Sequence, residues 1–283
     1  MTKRIAWVMD STGYLDDELQ KNDDIYIVPM VVILKGKEYR DGIDIVPKEL
    51  YRVMEEEKVV VTTSQPSIGT FMELYQSLEE KRYDCVISVH LSGSLSGTVA
   101  ASRQAAEMVS IPVHVFDSLV ISYPLTMVLR KIMSNIENGM EVSDALREAE
   151  KYSQSNETYV LIGSLDQLHR SGRLSGTQYL LGSMLNFKPI ISIENGMLAT
   201  IAKVRSEKKA EARIFDLFKK AYNSKKLKEC CLLFGASPSQ TDKWRDVIHD
   251  IDSSIIIHAS PIGSAVGVHA GPKTLGLSWF NEE

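Results

Sequence analysis

Short apolar runs alternate with longer amphipathic stretches through the first half of the chain. Ile5-Ala6-Trp7-Val8-Met9 and Cys85-Val86-Ile87-Ser88-Val89 have the length and composition of buried strands, and Val59-Val60-Val61 and Val113-His114-Val115-Phe116 those of strands. Each opens into polar residues: Asp10-Ser11-Thr12-Gly13, Thr62-Thr63-Ser64-Gln65-Pro66-Ser67, Ser92-Gly93-Ser94-Leu95-Ser96-Gly97-Thr98 and Asp117-Ser118. Between them, Ile68 to Glu80 and Ala100 to Val109 carry apolar residues on one helical face. This alternation predicts a parallel α/β sheet, which places ligands at the carboxyl ends of its strands, so the four polar strand ends are expected to share one cleft. Asp16 to Leu19 opens a short helix, Pro29 interrupts the β-rich run Ile25 to Leu34, and Pro47 stands at a first helical position.

Further on, Leu125, Val128, Leu129, Ile132, Met133 and Ile136 fit one face of a helix ended by Gly139, and Val142 to Tyr152 begins another. The polar segment Ser153 to Glu157 marks a boundary, dividing the chain into domains 1–155 and 156–283. The second part holds a strand at Tyr159 to Ile162, a capping-box pattern at Ser164 to Gln167, and a basic turn at Arg170 to Gly176 before an apolar helix at Tyr179 to Leu185. An Asn195-Gly196 hairpin, a charged helix from Glu207 to Asn223 and a buried strand at Cys230 to Gly235 follow. Ser237 to Gln240 caps a helix reaching His249, Ile255 to Ile257 is a strand, and Gly263 to Lys273 is a glycine-rich tail holding His269. The fold class expected is α/β in two domains, an N-terminal parallel α/β sheet domain and a C-terminal α/β domain.

Composition narrows the classes. The 283 residues are 44% hydrophobic and 24% charged, enough for more than one core and unlike a disordered chain. A net charge of −5 argues against nucleic acid as a partner. Cys85, Cys230 and Cys231 lack C-x-x-C spacing and lie in apolar sequence, which suggests buried thiols in a reducing compartment. The apolar stretch before Asp10 is too short for a signal peptide, and no run approaches the roughly 18–20 residues of a spanning helix. A cytoplasmic location is expected.

Three kinds of catalysis fail their templates. Gly93 to Gly97 has Leu95, and Gly263 to Gly267 has Ala265, at the central position of G-x-S-x-G, so both fail as a nucleophile elbow. Neither G-x-x-x-x-G-K-[ST] nor G-x-G-x-x-G occurs, which argues against ATP and dinucleotides. The six histidines are scattered without metal-ligand spacing, so no metal and no cofactor are expected. What survives is a set of donors: Thr62, Thr63, Ser92, Ser94 and Ser96, with Arg173, Arg205 and His269 from the second half. Such a set suits binding an anion better than breaking a bond. The bland alternatives stay open at this point, with serines as helix caps, Asp-Ser pairs as Asx turns, Arg205 as a surface charge and His269 as a structural group.

Thr63-Ser64-Gln65-Pro66, Leu91-Ser92 with Leu95-Ser96-Gly97-Thr98, Asp117-Ser118, Arg170-Ser171-Gly172-Arg173, Lys188-Pro189 and His269-x-Gly271 together resemble the DegV family, in order and across nearly the whole chain. That resemblance implies two α/β domains enclosing a long-chain fatty acid between them. By motif it places Thr63, Ser96 and His269 at the carboxylate, with Thr62 beside them, and Arg173 and Arg205 at the head-group region facing a kinase. Gly93 departs from the pattern, standing where the family commonly has a second serine. The resemblance implies a fatty-acid carrier without catalytic residues of its own, serving a separate ATP-dependent fatty acid kinase for phospholipid synthesis, with transient contact at a membrane surface. A serine-dependent acyl or phosphate-ester hydrolase using Ser96 or Thr63 is the alternative. The helices at Leu125 to Ile136 and Leu180 to Leu185 are candidates for lining the acyl tail.

Overall fold

The strands that these apolar runs form do not all join one sheet. The computed structural model describes residues 3–57, 59–173 and 187–281. In chain order the first part contains β1 (Ile5–Asp10), β2 (Ile25–Val28), β3 (Val31–Leu34), β4 (Lys37–Arg40), α1 (Pro47–Glu57), β5 (Val61–Ser64), α2 (Ile68–Glu80), β6 (Cys85–His90), α3 (Thr98–Ala106), β7 (Val113–Asp117), α4 (Tyr123–Glu137) and α5 (Val142–Gln154). The rest contains β8 (Asn156–Leu161), α6 (Leu165–Arg170), β9 (Lys188–Glu194), β10 (Met197–Val204), α7 (Glu207–Lys225), β11 (Glu229–Phe234), α8 (Asp242–Ile251), β12 (Ile256–Pro261), α9 (Ser264–Ala270) and β13 (Leu275–Phe280).

A parallel sheet in the order β2-β1-β6-β7 forms the first layer. β1 and β6 are buried along their whole length, as expected for strands covered on both faces. Alternation sorts their side chains: Ala6, Val8 and Val86 meet α2 and α3 through Phe71, Tyr75, Leu78 and Ala105, while Ile5, Trp7, Met9 and Ile87 meet α4 and α5. The apolar positions of α4 are therefore core, not ligand wall, because the sheet needs that face covered.

Pro29 is where the chain leaves this sheet. β3, β4 and β5 form a separate antiparallel sheet in the order β4-β3-β5. The expectation that all four polar strand ends crown one parallel sheet is thus corrected: the Thr62-Thr63 strand pairs with β3, Thr63 opposite Val32. The left-handed residues Lys35 (φ 53°) and Gly36 (φ 77°) make the tight turn between β3 and β4.

Among the described residues, the strands from Asn156 onward lie in one six-stranded sheet, in the order β10-β9-β8-β13-β11-β12. It is antiparallel except for the β11–β12 pair. The Asn195-Gly196 hairpin is present, with φ of 49° and 78° at the two turn residues. Two expectations shift here. Ser237 to Gln240 does form a capping box, but on a short 3₁₀ turn ahead of α8. The glycine-rich tail contains a helix, α9, and runs into β13, a central strand that is buried throughout. The helix expected at Tyr179 to Leu185 lies outside the described residues.

The two sets of strands share a core. The cluster around Trp7, Leu125 and Leu129 continues through Cys231, Leu233, Ile262 and Phe280. The thiols are buried as their apolar sequence suggested, and burial pushes Cys230 up to about 12. A second cluster, with Ile214, Phe218, Trp244 and Trp279, packs α7 and α8 on the six-stranded sheet.

Candidate ligand-binding site

The site begins with the pleat of β5. Val61 is buried, Thr62 is exposed, and Thr63 turns back inward. Opposite it stands α9, which comes from the far end of the chain. Its first turn is anchored by the buried carboxylate of Asp41, which accepts from the backbone N–H of Ser264 (3.1 Å) and Ala265 (3.3 Å) and from the Ser11 hydroxyl (2.9 Å). Negative charge at a helix start is favourable, and two otherwise orphaned N–H groups gain an acceptor. Desolvation nevertheless raises the Asp41 pKa, the hydrogen bonds opposing it. Gly267 is required in α9 because a Cβ there would run into the ring of Tyr51. Packed this way, α9 brings His269 Nε2 to 2.6 Å from Thr63 Oγ1, two residues 206 apart in sequence.

The serine turn after β6 supplies the third side. Ser96 is partly exposed and its Oγ shares a hydrogen bond with Thr98 Oγ1 at 2.8 Å. Ser92 has another task, donating from Oγ to the carbonyl of Gly196 at 2.7 Å and so tying the turn to the β9–β10 hairpin. Ser94 is exposed. Gly93 donates its N–H to both carboxylate oxygens of Asp117 (3.1 and 3.2 Å), and a Cβ there would come within 2.7 Å of Asp117 Oδ2. Asp117 also accepts from Leu119 N–H, and Asp10 accepts from Thr12 and Leu91, so the acidic strand ends are turn formers.

Thr63, Ser96, His269 and Arg173 lie on the wall of one cavity. The space within this wall, open solvent at its mouth included, is about 930 Å³. The rest of the wall is mostly apolar, with Leu91 and Leu95 from the first half and Ile191, Leu198, Leu233 and Ile262 from the second. Burial, reinforced by the Arg173 charge, lowers the His269 pKa to about 4, so the ring is neutral at pH 7. The Arg173 guanidinium is held in turn by its bond to the Ser171 carbonyl at 2.7 Å.

Of the donors named from sequence, Ser92 and Ser94, placed above, and also Thr62 and Arg205 do not reach this wall. Thr62 faces away from it, because the period of a strand sends neighbours to opposite sides. Arg205 is exposed at the end of β10 and lines a separate open groove, its guanidinium 6.0 Å from the centre of the Phe187 ring. What the sequence reading missed is the apolar wall itself, whose residues come from at least six segments and have no local signature. Asp41 was also missed, and the only local hint was an acid beside a glycine turn.

The arrangement offers little for hydrolysis. Thr63 and His269 are within reach for proton transfer, but a base whose conjugate acid forms only near pH 4 is a weak one at neutral pH. Ser96 contacts a threonine, not a histidine. A serine–histidine–aspartate array does exist, with His90 between Ser88 (2.8 Å), Ser102 (3.1 Å) and Asp10 (3.2 Å), yet His90 and Asp10 have no exposed surface and do not line the cavity. Among the described residues no group of His, Cys, Asp and Glu is placed to hold a metal. No helix among them is long and apolar enough to cross a membrane.

Fold and site together define an α/β protein built around an apolar cavity with a small polar cluster on its wall. The chain belongs to the DegV family, whose model, described as "Uncharacterised protein, DegV family", matches residues 4–282. A DegV domain-containing protein of Listeria innocua is 32% identical over 280 residues, covering 99% of each chain. Among solved structures, DegV of Bacillus subtilis, described as a fatty acid binding protein, aligns with a TM-score of 0.90 at 30% identity over 99% of this chain and 100% of that one. A fatty-acid-binding DegV family protein from Thermus thermophilus aligns with a TM-score of 0.89 at 29% identity, with the same coverage.

Proposed function

We propose that this protein binds a long-chain fatty acid, with the tail in the apolar cavity and the carboxylate at Thr63, Ser96 and His269, and presents that carboxylate to a separate ATP-dependent fatty acid kinase. The observation that carries the reading is the Thr63–His269 pair set on a mostly apolar wall. A tail gains ~0.8 kcal/mol per buried CH₂, so roughly 14–16 groups contribute on the order of 11–13 kcal/mol before the costs of binding. A buried carboxylate costs several kcal/mol unless donors meet it. Hydroxyls and a neutral imidazole supply such donors, and Arg173 on the same wall adds a positive charge. The fatty-acid-binding relatives support the same assignment.

In this reading Arg173 steadies the head group at the mouth, and Arg205, on its exposed groove, faces the kinase. Thr62 takes no part in contacting ligand. The same reading divides the chain into domains 1–155 and 156–283, places it in the cytoplasm and lets it exchange ligand at a membrane surface. Denaturing the purified protein and analysing extracted lipid by mass spectrometry tests the first step, the expected result being a stoichiometric fatty acid. Absence of lipid together with no uptake of added oleate or palmitate rules the carrier out. Acyl phosphate that appears only when a kinase subunit and ATP are both added tests the second step.

A further inference from the structure

Ser122 stands out in the cavity wall on three independent counts. Its backbone is at φ 66°, ψ −148°, a region that side-chain-bearing residues rarely occupy and that costs on the order of 1–3 kcal/mol. It is 2% exposed, and its Oγ is buried without a hydrogen-bond partner. Of the buried side-chain oxygens and nitrogens left unpartnered among the described residues, it belongs to the one residue that lines the cavity.

The ordinary explanations for such a serine fail. Ser122 occupies the N-cap position of α4, where a serine normally accepts from the backbone of the first turn, but it makes no such bond. Its backbone carbonyl accepts from Leu125 N–H at 2.9 Å, so the helix start is closed without the side chain. No histidine or carboxylate hydrogen-bonds to it, so it is not an activated nucleophile. Three other hydroxyls of residues lining the cavity are occupied: Thr12 donates to Asp10, Thr158 to Asn156, and Thr274 to the Ala270 carbonyl.

Position matters as well. Thr63 and His269 border the cluster of Val61, Val268 and Leu50. Ser122 precedes Tyr123, which belongs with Leu233 and Ile262 to the large shared core. Ser122 makes no hydrogen bond to Thr63, Ser96 or His269, and Leu233 and Ile262 of its neighbour's core cluster line the same cavity. A plain methylene chain would leave a desolvated donor unpaired against it, an outcome that native interiors avoid.

We infer that Ser122 is a subsite for an oxygen function on the acyl tail, so that the preferred ligand is a fatty acid bearing a hydroxyl or keto group along its chain. This rests on the carrier reading above. The strained loop fixes the hydroxyl where a tail oxygen can accept from it or, for a hydroxyl, also donate to it.

The test compares stearic acid with a set of hydroxystearic acids that differ in which mid-chain or distal carbon bears the hydroxyl, by competition against a fluorescent fatty acid. At least one positional isomer is expected to bind about fivefold more tightly than stearic acid, the gain of one neutral hydrogen bond. In Ser122→Ala that ratio falls to about one while the stearic acid Kd stays within about twofold, as losing one side-chain bond predicts. Ser122→Gly relieves the backbone and is expected to give the same ratio in a protein at least as stable, which guards against a misfolded alanine variant. No isomer preferred over stearic acid, or a preference that survives both substitutions, overturns the inference and leaves the carrier reading intact. Binding of neither stearic nor any hydroxystearic acid overturns both.

Discussion

Thr63 and His269 meet at 2.6 Å across the whole length of the chain, and their chemistry makes two predictions. If the proposed carboxylate site is correct, Thr63→Val and His269→Ala each remove a donor from it, and fatty-acid affinity is expected to fall about tenfold or more in a displacement titration. Thr62→Val, one residue away on the outer side of β5, is expected to leave it unchanged. The second prediction concerns pH. His269 titrates near 6.5 when unfolded and about 4 when folded, because burial and the Arg173 charge disfavour the imidazolium. Between those values the unfolded chain binds the proton and the folded one does not. Stability from this residue is full above 6.5 and is lost as pH falls toward 4, at up to about 1.4 kcal/mol per pH unit. Urea unfolding of wild type and His269→Gln across this range checks it: the difference between them is flat above 6.5 and narrows below. The types of these residues were legible in the sequence. Which of two adjacent threonines points inward depended on where the pleat of β5 begins, and pairing with β3 sets that.

At the scale of an element, α9 is the least legible part of the site and the most consequential. Gly263, Gly267 and Gly271 within and around it lower helix propensity enough to read as a loop. The helix forms because Asp41 accepts from its first turn and because Gly267 lies against Tyr51. Gly267→Ala, which would stabilise a free helix, is expected to cost about 1–3 kcal/mol here, since the added methyl meets an aromatic ring. Tyr51→Phe is expected to be near neutral, because the Tyr51 hydroxyl has no partner to lose. Asp41→Ala removes the acceptor for two helix N–H groups and is expected to cost about 2 kcal/mol. It should also weaken ligand binding, since α9 carries His269. Thermal melts of the three variants check the order. Elements with strong local signals were readable by contrast: Ile68–Glu80 is a helix with the bounds its apolar pattern indicates, and Pro47 starts α1.

At the scale of the molecule, the decisive feature is that the largest apolar cluster runs across the two groups of strands. Leu233 and Phe280 from the six-stranded sheet pack in the same cluster as Trp7 and Leu129. Two separable domains would unfold in two steps, whereas a shared core predicts one. Urea unfolding followed by a single tryptophan at Trp7 and, separately, at Trp244 or Trp279 is expected to give coincident transitions. Leu233→Ala is expected to cost about 2–5 kcal/mol and to lower both together. A transition at Trp7 unaffected by that change would show the halves to be independent.

The sequence by itself determined what is local. Strand and helix identity follows from apolar period, the Asn195-Gly196 hairpin from its turn residues, and the absence of an elbow or phosphate loop from spacing alone. It also supplied the donor types, since the motifs holding Thr63, Ser96 and His269 are short and contiguous. Tertiary structure decided which sheet β5 joins, that a glycine-rich tail becomes α9 and the central strand β13, and how scattered isoleucines and leucines close one cavity. Those outcomes depend on partners far apart in sequence, and a buried apolar residue looks the same in the chain whether it faces a helix or a ligand. Ser122 shows the same limit, since an unremarkable serine became distinctive only when its backbone was strained and its hydroxyl was sealed without a partner.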